Sequence, residues 1–314
     1  MHSIFTLPAA TTVRLFAAPH VNAIPLRTIL LLCFATACMS SSFYFVRESI
    51  LGPAALAAYR LMLASLVTLP LFLMGMKKAG DRFQMKMVLR SVLPGIFLGL
   101  HFITWNMGCR LTAASNATLL VNLVPVALPF ALFFLAKERI TRGELFGTML
   151  AIVGMFVMAI GDYNLSREHL KGDAVCAGSM LVLAMYIAFV RRNAPTFPNI
   201  WLFTVPVWIV AGITCSIFAF FWGEFDAKIT SQDWYALAGL IIVPTILGHG
   251  TSILTLSLVR GQIMALFNLG QMIPASILAW FAYRELPHAA FFLAALFVVA
   301  GVVVALRSTK TVKA

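Results

Sequence analysis

Apolar residues in this chain are gathered into long runs, separated by short polar stretches rich in Lys and Arg. Ten runs can be marked off: 28–46, 53–76, 91–109, 112–136, 141–160, 174–190, 199–222, 234–259, 262–283 and 289–306. Each is roughly 17 to 26 residues long, enough for a helix to cross a hydrocarbon core of about 30 Å. In lipid an open backbone would leave its amides unsatisfied, so the runs are expected to be helices. The predicted fold is therefore all-α and integral to a membrane, with ten transmembrane helices.

The pattern occurs twice. A shift of 147 positions carries Leu111 onto Leu258, Glu138 onto Glu285 and Gly154 onto Gly301. It carries His101 onto Gly248, next to His249. Asn122 falls beside the image of Asn268. Ten runs divide into five and five, and an odd number of spans makes the second half enter the membrane in the opposite sense. The expected organisation is two inverted five-helix repeats, 28–161 and 174–306. They are joined by a polar loop, 162–173, and flanked by tails at 1–27 and 307–314. Repeats of this kind place a binding site near the membrane midplane, between the halves.

Composition agrees with lipid as the solvent. Of 314 residues, 61% are hydrophobic and 11% charged, against roughly 25% charged in soluble domains, and the mean hydropathy is +0.94. The net charge of +12 lies in short clusters between apolar runs, not in a basic stripe with interleaved aromatics, so nucleic acid is not an expected partner. With both termini cytoplasmic, the inside segments hold 16 of the 23 Lys and Arg, including Lys77, Lys78, Arg82, Lys86 and Arg90 of one loop. The opposite side holds six, and Arg60 lies within a span. This bias sets the orientation and makes a cell (inner) membrane the expected location. At the first run a basic flank, an apolar stretch and Ala35-Thr36-Ala37 imitate a signal peptide with its cleavage site. An uncleaved helix is expected, because cleavage would leave nine spans. The polar second half of that run, Ser40 to Ser42 and Tyr44, is expected to face a cavity or a helix contact.

Ionisable and amide side chains inside apolar runs are the candidate site. His101 lies mid-run with Trp105 one turn on, and His249 takes the matching place in the second half. Each histidine is either a neutral group bonded to a neighbouring helix or a proton carrier for coupled transport. Arg60 must be paired, by an acid such as Glu48, by a carbonyl or by an anionic group of a solute. In the fourth run Asn116 is a further candidate, and Thr118, Asn122, Pro125 and Pro129 form a stripe. Proline there frees carbonyls that can receive a ligand. Asn268 and Gln271 share a face of the ninth run, for helix contact or solute. Glu138 and Glu285, beside Arg139 and Arg284, are expected to be structural. The five cysteines show no metal-binding spacing and are expected to behave as small hydrophobes. HExxH, GxSxG and phosphate-binding loops are absent from the sequence, so no enzyme activity, cofactor or metal is expected.

These features together resemble the EamA type of the drug/metabolite transporter superfamily. The likeness covers about residues 28–306. It rests on Leu100-His101-Phe102-Ile103-Thr104-Trp105, on the run from Pro125 to Glu138 with its Lys-Glu-Arg-Ile-Thr end, on Pro244 to His249, and on Arg60 in the second helix. The sequence departs from the family pattern at Ser40-Ser41, where a Trp-Gly or Trp-Ser pair is usual, and at Met272, where Glu-Pro is common. The resemblance implies a secondary transporter of a small organic metabolite, such as an amino acid, a derivative or a vitamin such as riboflavin. It also implies a cavity lined by helices one to four and six to nine. Helices five and ten would be peripheral and would be the place for any homodimer contact. Two other readings of a polytopic chain are an intramembrane enzyme using the two histidines and a receptor or assembly subunit that moves nothing.

Overall fold

A computed structural model describes residues 24–112, 117, 120–161, 170–226, 228–284 and 289–308. Most of these residues are helical, with no strand among them. In chain order the main helices are α1 (Leu26–Glu48), α2 (Pro53–Ala79), α3 (Val92–Leu111), α4 (Leu120–Ala136), α5 (Arg142–Gly161), α6 (Leu170–Asn193), α7 (Ile200–Phe221), α8 (Ser231–Leu256), α9 (Gly261–Ala282) and α10 (Ala289–Ser308). Among the described residues, α1 to α3 and α6 to α10 are eight helices long and apolar enough to cross a membrane, and α4 is a shorter apolar helix. Large apolar side chains such as Leu66, Phe134, Phe156, Phe221 and Phe292 are exposed on the outer surface. In water such a surface would aggregate; in lipid it is the natural exterior. The protein is a multi-pass membrane protein.

Small residues decide which helices touch. On α3 a Cβ at Gly99 would lie 2.8 Å from the carbonyl of Ala211 on α7, and one at Gly108 would strike Cys176 on α6. On α5 and α10 the close pairs are Gly143 with Ser308, Gly147 with Gly301 and Gly154 with Ala294. Positions rise along one helix as they fall along the other, so α5 and α10 run antiparallel. The two halves also share a backbone signature. Lys137 (φ 56°) ends α4, and Arg284 (φ 58°) follows α9 at the position 147 residues later. Both adopt the left-handed conformation that closes a helix, which for a side chain larger than Gly is uncommon.

Three helices are irregular for identifiable reasons. In α9 the helix stops at Leu269 and restarts at Met272. Pro274 has no amide to give the carbonyl of Gly270, and Gly270 itself favours helix poorly. In α4 the chain turns at Leu123, ahead of Pro125 and Pro129. In α8, residues Ile241–His249 form a π-helix around Pro244, and Thr245 donates its hydroxyl to the carbonyl of Leu240, five residues back, at 2.7 Å. A π segment shifts the rotational phase of the helix beyond it by one residue, about 100°, which sets the face on which His249 is presented.

Candidate functional site

The irregular helices meet at a cavity in which the centre of a water-sized sphere can range over about 80 Å³, room for on the order of six waters. Its wall is drawn from both halves. α1 gives Met39, Ser40, Ser42 and Phe43; α3 gives His101, Phe102 and Trp105; α4 gives Val121, Asn122 and Val124. From the second half come Leu183, Tyr186, Ile187 and Val190 of α6, His249, Ser252, Ile253 and Leu256 of α8, and Met264, Asn268, Gln271 and Ala275 of α9. A mostly apolar wall with a few convergent polar groups is the usual make-up of a small-molecule site.

Of the residues singled out from sequence, His101, Trp105, Asn122, His249, Asn268 and Gln271 all line this cavity. Asn116 and Thr118 lie outside the described residues, as does Glu285. The polar end of α1 reaches the wall through Ser40 and Ser42. α2 and α7, expected in the wall, contribute none of its residues and stand one layer back. There they pack on each other, with Gly212 against Met62 and Gly75 against Leu202.

His101 is fixed by α6. Its Nδ1 lies 2.9 Å from Ser179 Oγ and 3.3 Å from the Ser179 carbonyl, while Ser179 Oγ donates to the His101 carbonyl at 3.1 Å. A hydroxyl that gives its proton to one carbonyl can only accept from the ring, so this network assigns the proton to Nδ1. Nε2 is left as an acceptor. His249 meets the Phe102 ring edge-on at 5.3 Å, and Phe102 in turn lies 5.4 Å from the His101 ring. The two histidines, one from each half, thus flank one phenylalanine.

Arg60, 1% exposed, sits behind this wall. Sequence proximity suggested Glu48 as its partner; the structure gives it neutral ones. Nε donates to Thr245 Oγ1 at 2.6 Å, Nη1 donates to Ser42 Oγ at 3.2 Å, and the guanidinium lies 4.2 Å over the Phe102 ring. Thr245 in turn donates its hydroxyl to the Leu240 carbonyl. Glu48 accepts instead from Gln232 Nε2 at 2.6 Å. The expectation for the prolines also changes. Pro129 does free the carbonyl of Pro125, but Gln262 Nε2 takes it at 3.0 Å while also donating to Thr148 Oγ1 at 2.8 Å. That carbonyl serves helix packing. Ser179, Thr245 and Gln262 went unmarked as candidates in the sequence, although each is a polar residue within an apolar run.

Both ends beyond the cavity are tied by polar contacts between the halves. At one end Glu138 accepts from Arg191 Nε at 2.8 Å and from the Gly261 amide at 3.0 Å, and Arg260 pairs with Glu144. Arg139, the neighbour expected beside Glu138, offers Arg260 only its carbonyl. At the other end Asp233 accepts from Ser49 Oγ at 2.8 Å and from the Ile50 amide at 3.0 Å. Glu224 Oε2 caps the start of α2 through the amides of Ala54 and Ala55, each at 2.8 Å. Gly52 allows that approach, since a Cβ there would overlap the carboxylate. Among the described residues no cluster of His, Cys, Asp and Glu is suited to a metal ion.

A two-half helical membrane protein with a shared central cavity is the class that fold and site define. The sequence matches the model of the EamA-like transporter family over residues 26–160 and again over 170–307. The chain belongs to that family, in which each match corresponds to one repeat. Comparison with curated proteins gives no match. Among solved structures, one crystal structure is similar with a TM-score of 0.71 at 16% identity, covering 89% of this chain and 96% of the other; at that identity the likeness concerns the fold.

Proposed function

We propose that the protein is a secondary transporter of a small organic metabolite, working by alternating access. In this reading ten spans form two inverted repeats, residues 28–161 and 174–306, with both termini cytoplasmic in a cell (inner) membrane. The single observation that carries it is the cavity, walled by both halves and lined with polar groups deep inside apolar helices. The antiparallel pairing of α5 and α10 supports the inverted relation. So do the ties at both ends, which are polar and local and can open on one side at a time. The solute is an amino acid, a derivative or a vitamin such as riboflavin. His101, Trp105, Asn122, His249, Asn268 and Gln271 would touch it. The test is a metabolite profile of cells and medium with and without the protein; profiles that agree under full expression sink the transport reading.

Topology is tested separately. Reporter fusions after Lys78 and after Glu224 are expected on opposite sides of the membrane, the first cytoplasmic. Both on one side would rule out the inverted repeat.

A role for His101 follows from its protonation. With Nδ1 committed to Ser179, Nε2 is free to take a proton or to accept a bond from solute. His101→Gln keeps hydrogen-bonding capacity and removes the titratable ring. If His101 couples proton movement, liposomes holding the Gln variant will exchange the profiled solute but fail to accumulate it under an imposed pH gradient. Accumulation at the wild-type level would exclude His101 from coupling. Loss of exchange together with accumulation, at unchanged melting temperature, would place it in solute binding instead.

A further inference from the structure

The charges around the cavity do not balance. Arg60 is a buried cation whose contacts, Thr245, Ser42 and the Phe102 ring, are all neutral. Its Nη2 is buried and has no hydrogen-bond partner. Two carboxylates at the α2 end of the halves are engaged elsewhere: Asp233 with Ser49 and Thr230, and Glu224 with the amides of α2. Among the described residues no carboxylate lies within 4.0 Å of the guanidinium. A cation held at this depth is costly without a counter-charge, and an aromatic face compensates only in part. The cavity wall likewise contains no Asp or Glu.

The cavity is within reach of that charge. Ser42 and Phe102 touch Arg60 and also belong to the wall. Because Ser42 Oγ accepts from Nη1, its own proton remains available for a group in the cavity, and a hydroxyl polarised by a cation is a strong donor. A second donor is present in Tyr186, a wall residue 4% exposed whose hydroxyl is buried without a partner.

We infer that the solute is an anion: a small compound bearing a carboxylate or another oxyanion, held by the charge of Arg60 acting through Ser42 on the Phe102 side of the cavity. The inference rests on the transport reading and adds the charge class of the solute. The missing counter-ion of Arg60 is then the substrate itself, so the loaded protein is balanced where the empty one is not.

The test uses the full-length protein in detergent and three probes of one shape: benzoate, benzamide and benzylammonium. Thermal-shift titration is expected to show benzoate binding at least tenfold more tightly than benzamide, and benzylammonium more weakly still. Arg60→Gln should bring benzoate down to the level of benzamide, whereas Arg60→Lys should keep part of the preference. If Arg60→Gln does not fold, Ser42→Ala takes its place and should weaken benzoate by a larger factor than benzamide. Benzamide or benzylammonium at or above benzoate, a preference that survives the variant, or no benzoate shift overturns the inference. The metabolite profile separates the two proposals. Transported solutes that all lack an anionic group would sink the charge class and leave transport standing, while an unchanged profile would sink transport.

Discussion

Arg260→Ala is expected to leave little folded protein, and what can be purified should melt well below wild type. Arg260 stands between α8 and α9 and serves three partners. It pairs with Glu144 through Nε, and Nη2 lies 3.1 Å from the second Glu144 oxygen. It also donates to the Arg139 carbonyl and lies 3.8 Å from Glu138. Burial alone would lower its pKa, but the hydrogen bond to Glu144 and the charges of Glu144 and Glu138 raise it above the usual arginine value. A raised pKa means that the stabilisation carried by the Arg260 charge is fully present below the ordinary arginine value and is lost only as pH rises through the raised one. Glu144 has no exposed side chain, so removing Arg260 strands a carboxylate away from water. Breaking a buried pair from one side costs roughly 3–5 kcal/mol, a large part of what most proteins possess. Adding Glu144→Gln to Arg260→Ala removes the stranded charge and should recover part of the loss. Yield after size exclusion and the melting temperature decide the matter. A single variant as stable as wild type, or a double variant worse than the single, would show that the pair does not hold these helices.

What the sequence made legible was what one helix can show alone. His101, Asn122 and Asn268 stand out because an amide or imidazole amid apolar neighbours must have a partner, and that logic took five candidates to one cavity, with Trp105 beside them. Partners across helices were not legible. Glu48 lies close to Arg60 in sequence, but the guanidinium reaches Thr245, 185 positions away, and the π segment of α8 that presents this threonine leaves no mark beyond Pro244. Glu138 is adjacent to Arg139, and neighbours in a chain seldom face each other; Arg191, from α6, takes the place. Pro129 correctly signalled a free carbonyl, but nothing local says that Gln262, 137 positions from Pro125, would occupy it. The absence of α5 and α10 from the wall agrees with what the family resemblance implied for helices five and ten. The set-back position of α2 and α7 was not legible, because α2 carries Arg60 and so looks like cavity wall.

The other large effect is expected where α5 and α10 cross. Lipid tails are as apolar as these side chains, so the two helices are held by close packing and not by the hydrophobic effect. The packing is backbone on backbone. A Cβ on Gly147 would lie 2.5 Å from the Gly301 carbonyl, one on Gly301 would strike the Gly147 carbonyl, and one on Gly154 would lie 2.7 Å from the Ala294 carbonyl. A flexible side chain could swing aside; a carbonyl in a helix cannot move without its helix. Gly301→Ala should therefore cost about 1–3 kcal/mol, the usual penalty of overpacking. Gly301→Leu should cost more, by prising apart the contact that also buries Ala151, Met155, Ala294 and Val298. Neither helix lines the cavity, so the surviving folded fraction of Gly301→Ala should bind solute as wild type does. Gly178, inside α6, is the control. A Cβ there meets nothing within 4 Å, so Gly178→Ala should stabilise by roughly 0.5–1 kcal/mol through helix propensity alone. Melting temperatures of the two alanine variants should move in opposite directions. If Gly301→Ala melts with or above wild type, the α5–α10 contact is looser than the backbone distances require, and the small residues of these helices are there for another reason.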